Sequence, residues 1–246
     1  DWEPYTYASD ELRSDREFAV KAVRSSSKAY QHVPEGLRSD PEIRVVLLEG
    51  VEKESKRLSY VPPQLTGDHE VMLRALVVNP RMMKEASMEL KTDRDFVEKA
   101  VTEDWTVLEW VPPEMYADRE IMRAALRQSV YALRLAPKVI RADRELLLEA
   151  LKRSPQALTM ADASLLADKE VVAEAARQDF NVLEKASKEV RADRDMMLEM
   201  VALRGEALRY ASPGLQADRG VVLAAVQRYG HALEHAAEAL RNDREI

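Results

Sequence analysis

No cysteine occurs in the 246 residues, which removes disulfides, thiolate nucleophiles and Cys-ligated zinc or iron-sulfur centres. Glycine is scarce, at seven residues, and aromatics make up only 6%, so strands and Gly-rich phosphate loops are poorly provided for. No apolar run approaches the roughly 18 residues needed to cross a bilayer, so no membrane span is expected, and peripheral association stays open. There is no segregated basic face either: net charge is -7, with acidic and basic residues mixed along the whole length. A phosphate-binding surface needs such a face, and no nucleic-acid partner is expected. The opening DWEPYTYASD lacks a Met and any signal-like stretch, which points to a processed or partial chain from which a targeting segment would be missing. The compartment is left open as soluble or peripheral, cytoplasmic or organellar.

What is abundant is helix-forming. Hydrophobic residues make up 46% of the chain, enough for a sizeable core, and its many Ala, Leu, Arg and Glu lose little rotamer freedom in a helix. They follow a beat. Strings related to RADREL (141–146) place an Asp at Asp15, Asp40, Asp68, Asp93, Asp118, Asp143, Asp168, Asp193, Asp218 and Asp243, with every spacing 25 except Asp40 to Asp68, which is 28. Three residues after each Asp stands an apolar residue, from Phe18 and Ile43 through to Val221 and Ile246. Pairs such as Ala100-Val101 and Ala125-Leu126 follow one turn later, and offsets of three, four, seven and eight make one face of an α-helix of about eleven residues.

That helix breaks at a small polar residue, a Pro or a Gly, as at Asn79-Pro80, Ser154-Pro155 and Arg204-Gly205. Asn or Ser can cap a following helix, and Pro fits its first position. A second helix of about seven residues should follow, with core columns at Leu108, Leu133, Leu158, Leu183, Leu208 and Leu233 and at Val111, Ala136, Ala161, Ala186, Ala211 and Ala236. Pro stops it, and a last apolar residue such as Met115, Ile140 or Leu165 closes the unit. Helices this short are marginal alone, so neighbouring units must stack. The expected fold is all-α: an α-solenoid of tandem 25-residue helix-turn-helix repeats, read as a single continuous domain over 1–246. Within it, 1–14 is a partial repeat, 15–242 holds nine complete repeats, and 243–246 starts another. Polar capping repeats are not visible at either end.

An Asp, an Arg and a Glu side by side, as in Asp143 to Glu145, look like acid-base machinery. Ten near-equivalent copies are the opposite of the unique, tuned constellation that catalysis needs. Each Asp precedes the first helical residue, where its carboxylate can accept N–H groups of the first turn. The Glu or Asp two residues later, replaced only by Gly220, suits the positive end of the helix dipole. The basic residue between them (Arg16, Arg94, Arg119, Arg144, Lys169, Arg194, Arg219, Arg244) opposes that dipole. Pairing with a carboxylate of its own or a neighbouring unit, in a charge ladder along one edge, would account for it.

The stretch Gly205 to Val226, GEALRYASPGLQADRGVVLAAV, joins an "AL...A...L" step to an Asp-basic-x-apolar step. It resembles the helical repeat family known as domain of unknown function 4116, and the resemblance spans essentially the whole chain. Such repeats occur in tandem in algae, other protists and some host-associated bacteria, and the family has no established activity. The resemblance therefore implies a helical array and transfers no catalytic residue. Pro41 and His69 at the basic position, and the three-residue insertion before Asp68, depart from the pattern.

Three places break the beat. HALEH (231–235) has the His-x-x-Glu-His order of inverted zinc peptidases. Equivalent positions elsewhere hold Glu206 and Tyr210 or Asn181 and Lys185, so an exposed, variable helix face is the preferred reading of His231 and His235, and no metal or cofactor is expected. EDWTVLEWVPPEMY (103–116) concentrates Trp105, Trp110 and Tyr116, and the Trp110 column also holds Tyr60. Semi-exposed aromatics are favoured at protein interfaces, although edge-of-core packing explains them as well. The insertion LLEGVEKESKR (47–57), with Glu52 and Lys53, adds nearly one helical turn, and would lengthen the first helix or enlarge the turn.

Function is then expected to be non-enzymatic: an interaction scaffold or accessory subunit that binds other proteins through Trp105, Trp110, Tyr116, Tyr60, Glu52 and Lys53. By analogy with where the family occurs, its assembly would be an organellar or photosynthetic complex of an alga or protist. One alternative is single-stranded RNA binding, one base per repeat, which needs a basic groove that the net acidity argues against. A remote alternative is a zinc hydrolase at His231 and His235.

Overall fold

The computed structural model describes residues 2–58 and 61–246, the side chains of 55–58 excepted, and among the described residues every regular element is helical. They group into two compact units, 1–128 and 129–246. The first contains the long helices α1 (Arg16–Ser25), α2 (Pro41–Leu58), α3 (His69–Val78), α4 (Arg94–Glu103) and α5 (Arg119–Gln128). The second contains α6 (Arg144–Leu151), α7 (Lys169–Gln178), α8 (Arg194–Leu203) and α9 (Arg219–Arg228).

Each long helix starts where an Asp carboxylate accepts a first-turn N–H. Phe18 donates to Asp15 at 2.8 Å, Phe96 to Asp93 at 2.9 Å, Leu146 to Asp143 at 3.0 Å and Met196 to Asp193 at 2.9 Å. Asp243 accepts the Glu245 N–H at 2.9 Å in a turn at the end of the chain. Most of the helices end eleven residues after the Asp, where the backbone turns extended: Ser26 has φ -160° and ψ 138°, Asn79 -147° and 99°, Asp104 -151° and 117°. At several breaks the side chain caps the next segment, as when Thr106 donates its N–H to Asp104 at 2.8 Å, so that one residue stops one helix and starts another; at Ser154, Arg204 and Tyr229 the backbone breaks without a side-chain cap. In the second repeat the same position is Val51. The helix does not break, and α2 runs for 18 residues. The insertion thus lengthens the first helix.

The second helical segment differs in kind from a seven-residue helix. It is a 3-10 helix of five or six residues, such as Trp105–Trp110, Pro155–Met160 or Gly205–Tyr210. The core columns carry the reason. Leu108 and Val111 are three apart, and residues three apart eclipse in a 3-10 helix; both are buried, as are Leu133 with Ala136 and Leu208 with Ala211. The segment that closes the repeat is itself a third, short helical turn in most repeats, for example Met88–Thr92 and Pro213–Gln216, capped by Ser87 and Ser212. It buries the last apolar residue of the repeat, Leu90 or Leu215.

Within each unit, successive repeats are tied by three kinds of rung. The first is ionic: the basic residue at the start of one long helix reaches the capping Asp of the next. In the first unit Arg16 meets Asp40 at 2.7 Å, His69 meets Asp93 at 3.1 Å and Arg94 meets Asp118 at 2.9 Å. In the second, Arg144 meets Asp168 at 2.9 Å, Lys169 meets Asp193, Arg194 meets Asp218 at 2.9 Å and Arg219 meets Asp243 at 3.5 Å. Pro41 cannot do this, and Arg44, one turn further along α2, replaces it with two bonds of 2.7 Å to Asp68. The second rung is backbone: Ser87 N–H donates to the Thr66 carbonyl at 2.8 Å, and Ser212 N–H to the Arg191 carbonyl at 2.8 Å. The third closes the break. Gln128 Nε2 donates to the Thr102 carbonyl at 2.8 Å while its Oε1 accepts the Trp105 N–H at 2.9 Å, and Gln178 Nε2 donates to the Leu151 carbonyl at 2.7 Å. On α2 the equivalent position is Gly50, and Glu54 one turn later takes the Ser27 N–H at 3.0 Å together with the Ser26 and Ser27 hydroxyls.

Several capping carboxylates therefore serve two masters, and the acidity of Asp40, Asp68, Asp193 and Asp218 records both. The Arg16 guanidinium holds the Asp40 carboxyl below the ordinary range, as Lys169 does for Asp193 and Arg194 for Asp218. At Asp68 burial pushes upward, and Arg44 with the Val71 N–H outweighs it.

Candidate functional site

The aromatic candidates do not form one patch. Trp105 and Trp110 open and close the same 3-10 helix, where residues five apart point about 120° away from each other at three residues per turn. Both are half-buried, as is Tyr116 at the end of the next short turn. Tyr60 lies outside the described residues. Lys53 is exposed, and Glu52 is half-buried on the inner flank of a groove. His231 and His235 also occupy a 3-10 helix, Gly230–His235. Four residues at three per turn separate their directions by about 120°, so they do not share the single face that an α-helix would give them. His231 packs on Tyr229 with ring centroids 5.4 Å apart, and His235 Nε2 lies 3.3 Å from Glu234. Among the described residues no group of three or more His, Asp or Glu is placed to hold a metal, and no helix is long and apolar enough to cross a membrane.

The groove that Glu52 borders is the feature of the first unit that the core pattern does not explain. It runs over α3, between α2 and α4, with a volume of about 630 Å³. Its floor is Leu73 and Val77, one helical turn apart, and its rim is Glu52, Arg74, Lys99 and Glu103, with His69 and Glu70 at one end. Val77 is 61% exposed, which is unusual for a valine whose neighbours Ala75 and Leu76 are fully buried. The cause is in the sequence of α3, HEVMLRALVV, which places Leu73 and Val77 among His69, Glu70 and Arg74 on the outer face. An apolar stripe of this kind on a helix is normally covered.

The groove has a counterpart in the second unit, at positions 100 residues further along, lined by Lys152, Lys169, Glu174, Arg177, Asp193 and Glu199 among others. There Arg177 stands where the first unit has Val77, and Glu199 where it has Lys99. The two bond across the groove at 2.9 and 3.0 Å, with Glu174 adding a third contact at 3.1 Å. In the second unit the chain bridges this groove with its own charges. In the first it presents hydrocarbon, and neither Lys99 nor Glu103 has an ion-pair partner among the described residues. Arg74 reaches Glu52 only at 4.0 Å.

The family model described as Domain of unknown function (DUF4116) matches residues 2–38, 68–116, 118–166, 143–191, 168–216 and 218–246, well over half of the chain. The chain belongs to this family. Matches that begin at 118, 143 and 168 repeat the 25-residue beat. Residues 39–67 are left unmatched, and they hold Pro41, the unbroken α2 and the insertion, the elements that make one wall of the groove. No curated protein and no solved structure matches the chain.

Leu73, Val77, Lys99 and Glu103 do not show in the columns that define the core. The signal that finds them is the outward column nine residues after each Asp, which reads Arg24, Glu49, Val77, Thr102, Arg127, Lys152, Arg177, Ala202 and Gln227. Val77 is the one large apolar residue in this column, whose other members are charged or polar apart from the small Ala202, and it marks the place where the solvent face changes character.

Proposed function

We propose that the protein is a non-enzymatic protein-contact module, a scaffold or accessory subunit, and that the α2–α4 groove is its contact surface. The observation that carries this reading is Val77, a β-branched apolar side chain 61% exposed beside half-buried Leu73. Removing such a stripe from water is favourable at roughly 25 cal/mol per Å², and an apolar centre with a charged rim is the anatomy of a protein interface. Trp105, Trp110 and Tyr116, half-buried on the fourth repeat, belong to the supporting stack in this reading. Single-stranded RNA binding would ask for a continuous cationic track. Successive 3-10 segments instead carry Lys84, Glu109, Arg134, Thr159, Glu184, Arg209 and Glu234 at one position, a column of mixed sign.

The test is Val77→Asp in the full-length protein isolated from its native setting. A charge on an already exposed position leaves the helical circular dichroism unchanged, and a stoichiometric protein partner that accompanies the wild type is lost. Retention of that partner by the folded variant contradicts the reading.

A further inference from the structure

Resting on that reading, we propose that the occupant of the α2–α4 groove is a second copy of the same groove, packed antiparallel about a two-fold axis. The contact between His69 and Asp93 joins the first turns of α3 and α4, and the two helices pack on each other, so they lie side by side and run in the same direction. Leu73 and Val77 stand five and nine residues after Asp68, and Lys99 and Glu103 stand six and ten after Asp93. The midpoints of the two pairs therefore differ by one residue, a rise of about 1.5 Å. A two-fold axis crossing both helices at this level exchanges Leu73 with Val77 of the copy, and in the same operation exchanges Lys99 with Glu103 of the copy. The apolar stripe meets itself, and the two charges that have no ion-pair partner among the described residues find opposite charges. Such reciprocity is the defining property of an isologous interface.

Charge selects this occupant over a foreign helix of uniform sign. An acidic partner would satisfy Lys99 and oppose Glu103, and a basic one the reverse, whereas a copy satisfies both. The equivalent groove of the second unit cannot associate in this way, because the Arg177–Glu199 pair already spans it. The stripe is short compared with the roughly 1,200 to 2,000 Å² buried by tight complexes, so the dimer is reversible, in the micromolar range.

Sedimentation velocity of the full chain from about 1 to about 200 µM at physiological salt reads the equilibrium directly. The wild type is expected to pass from monomer to dimer. Val77→Asp stays monomeric. Lys99→Glu and Glu103→Lys each turn two attractive contacts into two repulsive ones and weaken dimerisation about tenfold or more. The double variant Lys99→Glu with Glu103→Lys restores it, an outcome that a merely structural role for either residue would not give. A wild type that remains monomeric throughout, or a dimer indifferent to Val77→Asp and to the charge reversals, overturns the proposal. If the chain is monomeric while Val77→Asp still strips a foreign protein from the native material, the second-copy assignment fails and the contact-module reading stands.

Discussion

Asp68 offers the sharpest separation of the two duties of a capping carboxylate. Its Oδ1 accepts the Val71 N–H at 3.0 Å, and the carboxylate takes two bonds of 2.7 Å from Arg44, the pair being 25% and 29% exposed. Loss of a cap costs about 1 kcal/mol, and a partly buried charged hydrogen-bonded pair contributes about another 1 to 2. Asp68→Ala should therefore destabilise the first unit by about 2 to 3 kcal/mol. Asp68→Asn keeps a competent cap, since Asn ranks with Asp there, and should lose only the share of the pair, about 1 to 2 kcal/mol. Arg44→Met should cost a similar amount, and Asp68→Asn should add little in that background, because Arg44 is what the charge serves. All three Trp, at positions 2, 105 and 110, lie in the first unit, so urea unfolding followed by Trp fluorescence reports that unit alone. Equal losses from Asp68→Asn and Asp68→Ala, or strict additivity of Asp68→Asn with Arg44→Met, would refute the idea that one carboxylate both caps and links.

Other expectations follow from the same geometry. A Cβ on Gly205 would collide with the Ala225 carbonyl oxygen and lie 2.8 Å from Tyr229 Cβ; Gly205→Ala should cost about 1 to 3 kcal/mol in thermal unfolding. Gly230→Ala, at the equivalent position with nothing within 4 Å, should be near neutral in the same assay. Asp40, Asp68, Asp118, Asp168, Asp193 and Asp218 all ionise below the ordinary value of 3.8 in the folded chain. Their stabilisation is fully present above that value and is lost as pH falls through the depressed ones. An acid titration followed by circular dichroism should therefore be flat above about pH 5 and fall steeply below about pH 4, and a fall centred near pH 6 would contradict the assignment. Gln128→Met should speed hydrogen exchange at the Trp105 amide, which Gln128 accepts at 2.9 Å, without unfolding α4; unchanged protection would show that the break closes by other means.

The periodic parts of this fold were legible because burial repeats with the helix. Ala100, Val101, Ala125 and Leu126, read as one face of a helix, are all at most 3% exposed. The 3-10 character of the second segment was harder to read, since spacings of three and four compete in a stretch of six residues. The basic residue of RADREL could be paired only in outline from the sequence. Its partner is 24 residues away along the chain, the capping Asp of the next repeat, and the same distance explains why Arg44 could stand in for Pro41 without leaving a sequence signature. The insertion made Glu52 a candidate, and Glu52 borders the groove, while Leu73 and Val77 are not singled out by the sequence because apolar residues in a helix-rich repeat are presumed to face inward. Outward columns have to be read for intruders, as inward columns are read for the core.

The most direct test of the account uses the absence of cysteine. Val77→Cys places a single thiol on the groove floor, and Val139→Cys places one at a 69% exposed position on the second unit as a reference. If protein covers the groove, alkylation by N-ethylmaleimide is slow at Val77→Cys in concentrated protein or native extract and rises to the Val139→Cys rate on dilution. Equal, concentration-independent rates at the two positions would mean that nothing covers Val77, and would contradict the central claim.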